Sequence, residues 1–183
     1  MSSTWQIRRS DKEMSEEGIR AMIEQAYCGR LATVGADGWP YVVPLLHVWR
    51  KGEIWVHNTQ ARGHLRDNVE HDSRVCFEVD EAGAIFPYGR FECDTSLAYR
   101  SVIATGRIRI VDDPSEKQAF FEALMAKYAD PDWDRPKGFF PRLDQVTVYA
   151  ITPERMTGKE TPLPAPRNQW PAMDNTRSPD ATP

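Results

Sequence analysis

Residues 57–66 read His57-Asn58-Thr59-Gln60-Ala61-Arg62-Gly63-His64-Leu65-Arg66, the end of a strand, a loop and a helix start. Free backbone N–H groups at a helix start, with its positive dipole end and nearby cations, form a site for an anion such as phosphate. Arg62, His64 and Arg66 supply the cations, and Gly63 lets the backbone approach a phosphate closely. On spacing alone the blander reading takes precedence, that of solvated side chains around an ordinary loop. The segment matches neither a Walker A loop nor the glycine fingerprint of a dinucleotide fold.

The other reactive side chains give weaker signals. His57, His64 and His71 recur every seven residues, but a helix-borne metal site uses closer spacing and His57 belongs to the strand. No metal is assigned. His57 alternates with Val56 and shares a face with Trp55, which suits a packed, hydrogen-bonded imidazole. Cys93 has no assignable partner base, and no G-x-S-x-G elbow exists to support a hydrolase.

The elements that position these residues follow from periodicity. Ser15 caps a first helix carrying Ile19, Met22, Ile23 and Ala26, with Gly29 as its stop, and Ser10 to Glu13 offers a competing start. Strands follow over 31–34, 41–49 and 53–58, with turns at Asp37-Gly38 and Lys51-Gly52. Pro40 and Pro44 mark the second as an edge strand or a bulged one. A brief helix over 64–71 precedes a strand over 74–79, with Val75, Phe77 and Val79 on one face. Residues 80–98 show no period and read as a long irregular segment. A strand over 100–111 leads to a capped helix at Asp113-Pro114-Ser115-Glu116, with Phe120, Phe121, Leu124, Met125 and Tyr128 as its stripe. The last strand spans 145–151. Short strands with few helices favour a mainly β barrel over a doubly wound sheet.

Bulk properties bound the function. With 183 residues, 40% of them hydrophobic, the chain fits one domain, placed over residues 10–160. Residues 161–183 hold six of the 14 prolines and read as an extended or disordered tail. A net charge of −4 is the wrong sign for nucleic-acid binding. Three scattered cysteines, no leader-like N-terminus and no long apolar run suit a cytoplasmic protein without a membrane span.

Five landmarks in order carry a family resemblance. They are Asp37-Gly38-Trp39-Pro40-Tyr41-Val42-Val43-Pro44-Leu45, Val56-His57-Asn58, Gly63-His64-Leu65, Arg74-Val75-Cys76-Phe77 and Leu97-Ala98-Tyr99-Arg100-Ser101-Val102. With the ending Met156-Thr157-Gly158-Lys159-Glu160, the chain resembles the pyridoxamine 5′-phosphate oxidase-like superfamily, in its nitroimidazole-resistance branch. The resemblance implies a six-stranded antiparallel FMN-binding split barrel that forms a homodimer with FMN at the interface. It assigns the ribityl phosphate to His57, Asn58, Thr59, Gly63, His64 and Leu65, and the flavin ring to the backbone at Val43, Pro44 and Leu45. Arg100 and Ser101 are implied to reach the phosphate.

The resemblance also implies an activity. His57 matches an active-site histidine of that branch, so it is expected to donate a proton or anchor substrate in electron transfer from flavin to a small organic acceptor, such as a nitro compound. His64 and Leu65 stand where pyridoxamine-phosphate oxidases carry an Arg-Lys pair, which argues against vitamin B6 oxidation. Met156 replaces a tryptophan frequent in the branch. A non-catalytic flavin-binding module and an F420-dependent reductase are the alternatives.

Overall fold

The computed structural model describes residues 7–88 and 91–165. A single 3-10 turn over Ser10–Lys12, without a side-chain cap, precedes helix α1, Glu16–Gln25, so the helix takes the Ser15 start and not the competing one at Ser10. Ser15 accepts a hydrogen bond from the Gly18 amide and caps α1. Gly29 does not stop the helix, which ends at Gln25. It opens strand β1, Gly29–Val34, where a Cβ would stand 2.1 Å from the Phe77 ring. Glycine is required there by packing.

The strand expected over 41–49 divides into β2, Pro40–Leu45, and β3, His47–Arg50. Lys51 and Gly52 both have positive φ, the pattern of a two-residue hairpin turn, and lead into β4, Glu53–Thr59. Helix α2, His64–His71, follows, then β5, Arg74–Pro87, and β6, Thr95–Val111. Helix α3, Pro114–Tyr128, is capped by Asp113, which accepts from the amides of Ser115 and Glu116. Glu116 does not close a capping box. It pairs with Arg50 and with Lys51 instead. The last strand is β7, Val146–Thr161.

Three boundaries differ from the sequence reading for physical reasons. Residues 80–87 and 95–98 extend the β5–β6 hairpin and are not irregular as expected, the described residues 88 and 91–94 lie outside both strands, and Glu81–Ile85 are all exposed. With no buried face there, no alternation marks the strand. The final strand runs ten residues past Ile151, hidden by Pro153 and by a register shift opposite Thr105 and Gly106. A Cβ on Gly106 would lie 2.1 Å from the Thr152 carbonyl oxygen, so the shift requires glycine. Beyond Thr161 the chain is described to residue 165 without further helix or strand. The rest of the expected tail lies outside the described residues.

All seven strands form one antiparallel sheet in the order β2-β1-β5-β6-β7-β4-β3. The two edges, β2 and β3, are joined by Leu46 alone, so the sheet must curl to bring them together. The described sheet has seven strands and not the six expected of the split barrel, because the chain leaves strand pairing at Leu46 and divides the second strand into β2 and β3. Inside the curl, Leu31, Ile54, Val56, Phe77, Val79, Val102, Ala104 and Tyr149 are buried, closed over by Ile19, Met22 and Ile23 of α1 and by Leu65 and Val69 of α2. On the outer face Phe120 and Leu124 of α3 cover Val48, Trp55, Val111 and Val148. Among the described residues no helix is long and apolar enough to cross a membrane.

Candidate functional site

Strand β4 sends its side chains alternately into the two cores, and this sets the chemistry of the strand end. Asn58 follows Ile54 and Val56 on the inner face and accepts a hydrogen bond from the buried Tyr149 hydroxyl at 3.2 Å. His57 follows Trp55 on the outer face. Its ring lies 5.5 Å from Phe120 and 5.1 Å from Phe121, centroid to centroid. The imidazole is half-buried, and Nδ1 is buried without a hydrogen-bond partner among the described residues. Burial lowers its pKa below the ordinary 6.5, so the ring is neutral at pH 7. Thr59, the last residue of β4, is exposed.

The loop closes quickly onto α2. The Gln60 amide bonds the Gln145 carbonyl at 3.0 Å, and Gly63, in extended conformation, stands at the helix N-cap. No side chain caps this start. The first intrahelical bond runs from Asp67 to Gly63, which leaves the amides of His64, Leu65 and Arg66 without helical partners. A Cβ built on Gly63 meets no atom within 4 Å, so the space in front of the helix is open. Leu65, 5% exposed, is a core anchor whose amide alone is available. Asn68 fixes the helix to β1 by donating to the Thr33 hydroxyl at 3.0 Å.

The cations at this end are already engaged. Arg62 reaches Asp67 at 2.8 Å and Glu70 at 2.6 Å, and Arg66 reaches Glu70 at 3.0 Å. Together the two arginines hold the Glu70 carboxyl below its usual pKa range. These exposed pairs cost little to exchange for another anion. His64 stacks on Tyr41 of β2, centroids 5.4 Å apart and planes 24° from parallel, a contact the sequence reading did not identify. Its signal was an aromatic side chain on a proline-marked edge strand.

Of the remaining site residues, Val43 and Leu45 pack against the inner core, while Pro44 is exposed. Among the described residues strand β2 pairs only with β1, which leaves its other backbone edge unpaired beside the His64–Tyr41 pair. Arg100 and Ser101 are not brought to this place within one chain. Arg100 pairs with Glu81, and Ser101 lies opposite Asp80 and Lys159. His57 is opposite Val148, which is opposite Val111, ten residues along β6 from Ser101. The strand rise puts roughly 33 Å of β6 contour between Val111 and Ser101.

The single curled sheet, its edges joined through one residue, defines a split barrel. The family model for pyridoxamine 5′-phosphate oxidase matches residues 15–160, and the chain belongs to that family. Solved structures agree on the fold. A Bacteroides thetaiotaomicron chain described as a 5-nitroimidazole antibiotic resistance protein is 21% identical with a TM-score of 0.66, over 80% of this chain and 85% of that one. The flavocytochrome Anf3 from Azotobacter vinelandii is 17% identical with a TM-score of 0.74, over 97% and 91%. An FAD and heme binding protein from Mycobacterium smegmatis is 18% identical with a TM-score of 0.69, over 86% and 78%. No curated protein matches.

Proposed function

We propose that this protein is an FMN-dependent oxidoreductase of the cytoplasm that passes electrons from reduced flavin to a small organic acceptor, a nitro compound being one concrete version. The observation that carries the reading is the uncapped start of α2, open in front of Gly63 and set beside the free edge of β2. The amides of His64, Leu65 and Arg66 would hold the phosphate, with Arg62 and Arg66 turning from their carboxylates to the ligand. The backbone from Val43 to Leu45 would run along the ring. Bound FMN supplies hydride acceptance and electron transfer, and the protein contributes orientation and a polar environment.

A homodimer belongs to the same proposal. Trp39, just before the edge strand, is 74% exposed and Val42 on it 56%, and Ile85, Leu97 and Ile103 are exposed along the β5–β6 hairpin. Apolar groups on an unpaired edge favour covering by another chain. Arg100, paired with Glu81 within one chain, and Ser101 would contribute to a phosphate across a subunit boundary.

The deciding experiment is the visible spectrum of the freshly purified protein, followed by titration of flavin-free protein with FMN, FAD and riboflavin. Tight FMN binding with far weaker riboflavin binding supports a phosphate site at α2. Equal affinity for FMN and riboflavin removes it.

A further inference from the structure

Helix α3 ends at Tyr128, and the chain then folds back under it through Asp130-Pro131-Asp132-Trp133 and Pro136-Lys137-Gly138-Phe139-Phe140. Two prolines and Gly138, at φ 68°, keep this return out of regular structure. Between the return and the last turns of α3 lies a cavity of about 650 Å³. Its size falls within the roughly 300–1,000 Å³ usual for small-molecule sites. Met125 and Trp133, 37% and 44% exposed, and Phe139, 64% exposed, all line it. Large apolar side chains so open around one cavity call for a ligand of matching shape.

The charged groups on the wall are not equivalent. The Glu122 carboxylate accepts from the Gln118 amide at 2.9 Å, and Asp130 accepts from the Asp132 amide at 2.9 Å. Arg135 and Lys137 have no carboxylate partner among the described residues. The Arg135 guanidinium lies 5.1 Å from the Trp133 ring centre, and Lys137 Nζ donates to the Trp133 carbonyl at 3.3 Å. Arg135 therefore lies against the Trp133 ring and Lys137 against the Trp133 backbone, and both residues line the cavity.

We infer that this cavity is a binding site for a planar aromatic carboxylate, its ring against Trp133 and Phe139 and its carboxylate on Arg135 and Lys137. A flat ring matches the aromatic walls, and the two donors match a carboxylate. The site is distinct from the α2 helix start and does not depend on flavin binding there. Phe140 connects it to β4, with its ring 5.7 Å from Phe121, itself 5.1 Å from His57.

The probe is 2-naphthoate, titrated calorimetrically into the flavin-free full chain, with 2-naphthalenemethanol as the uncharged control. One molecule per chain is expected to bind. The double variant R135Q/K137Q should weaken 2-naphthoate by about tenfold or more, the scale of a lost charge-assisted contact, and leave the alcohol within about twofold. Phe139→Ala should weaken both, with unchanged thermal unfolding showing that the fold is intact. Saturating FMN should leave the naphthoate affinity unaltered. Absence of saturable naphthoate binding, equal affinity in the double variant, or displacement by FMN would each overturn the inference.

Discussion

The imidazole Nε2 of His47 stands 2.7 Å from the carbonyl oxygen of Ile23 and ties edge strand β3 to helix α1. A carbonyl only accepts, so Nε2 carries the proton and Nδ1 is left without a partner among the described residues. Desolvation, with the positive charge of Lys127 second, pushes the His47 pKa down to about 4. The unfolded chain takes up this proton near 6.5, the folded chain only near 4. Stability is therefore complete above pH 6.5 and falls as pH drops toward 4, by on the order of 3 kcal/mol. Urea unfolding at pH 7, 5.5 and 4.5 measures the slope. His47→Gln should flatten it and Lys127→Met should lessen it; unaltered slopes in both would assign the acid sensitivity elsewhere.

Gly63 separates ligand binding from folding. A side chain there meets open space, and φ of −170° is accessible to any residue. Gly63→Val should leave the unfolding midpoint within about 0.5 kcal/mol of wild type, as for an ordinary surface change. It should weaken FMN at least about tenfold by blocking approach to the helix amides. Undiminished FMN affinity moves the phosphate away from α2.

Gly106 tests the long strands. A Cβ there would meet the backbone oxygen of Thr152 and the Cα of Pro153, neither of which can swing aside. Gly106→Val should destabilise the fold by about 2 kcal/mol or more, in the range of overpacked cores. A loss below about 0.5 kcal/mol would mean that the β6–β7 register adjusts freely.

The parts of this fold legible in the sequence are those where one face is buried. Val75, Phe77 and Val79 alternate because they enter the core, and Ser15, Asp113 and Lys51-Gly52 mark ends that local chemistry decides. The β5–β6 extension left no pattern because both its faces are exposed over Glu81–Ile85. The helix start at Gly63 was legible as a backbone feature. The stacking of His64 on Tyr41, 23 residues apart, was not, because it depends on how β2 returns past α2. The Arg62 and Arg66 cluster looked like free positive charge, yet Asp67 and Glu70 on the next helical turn neutralise it.

The homodimer has a direct test in solution mass. A chain of 20.9 kDa should run at twice that mass at micromolar concentration, and FMN should tighten the association, since a ligand held by both chains favours the dimer. Val42→Lys, on the exposed edge strand, should shift the equilibrium toward monomer and weaken FMN with it. A monomeric wild type saturated with FMN would defeat this expectation.

His57 carries the sharpest test of the enzymatic reading, because its surroundings suit two roles. Packing against Phe120 and Phe121 makes it a structural ring, and its buried Nδ1, without a partner among the described residues, is a nitrogen that a proton-carrying role could use. Two substitutions separate these. His57→Ala removes both ring and nitrogen, whereas His57→Phe keeps an aromatic ring against α3. If the nitrogen works in the reaction, both variants should bind FMN and lose roughly 10²–10⁴ in turnover, the usual scale for a positioned acid or base. The phenylalanine variant should then regain the stability that alanine loses, but not the rate. The pH profile adds a sign. Burial lowers the His57 pKa, so a rate that requires the charged ring should rise as pH falls below the ordinary 6.5, and both variants should lose that rise. The measurement is flavin reoxidation by a nitroaromatic acceptor at saturating FMN. Turnover restored by phenylalanine would make His57 a packing residue and leave the chemistry to the flavin and the groups around the α2 start.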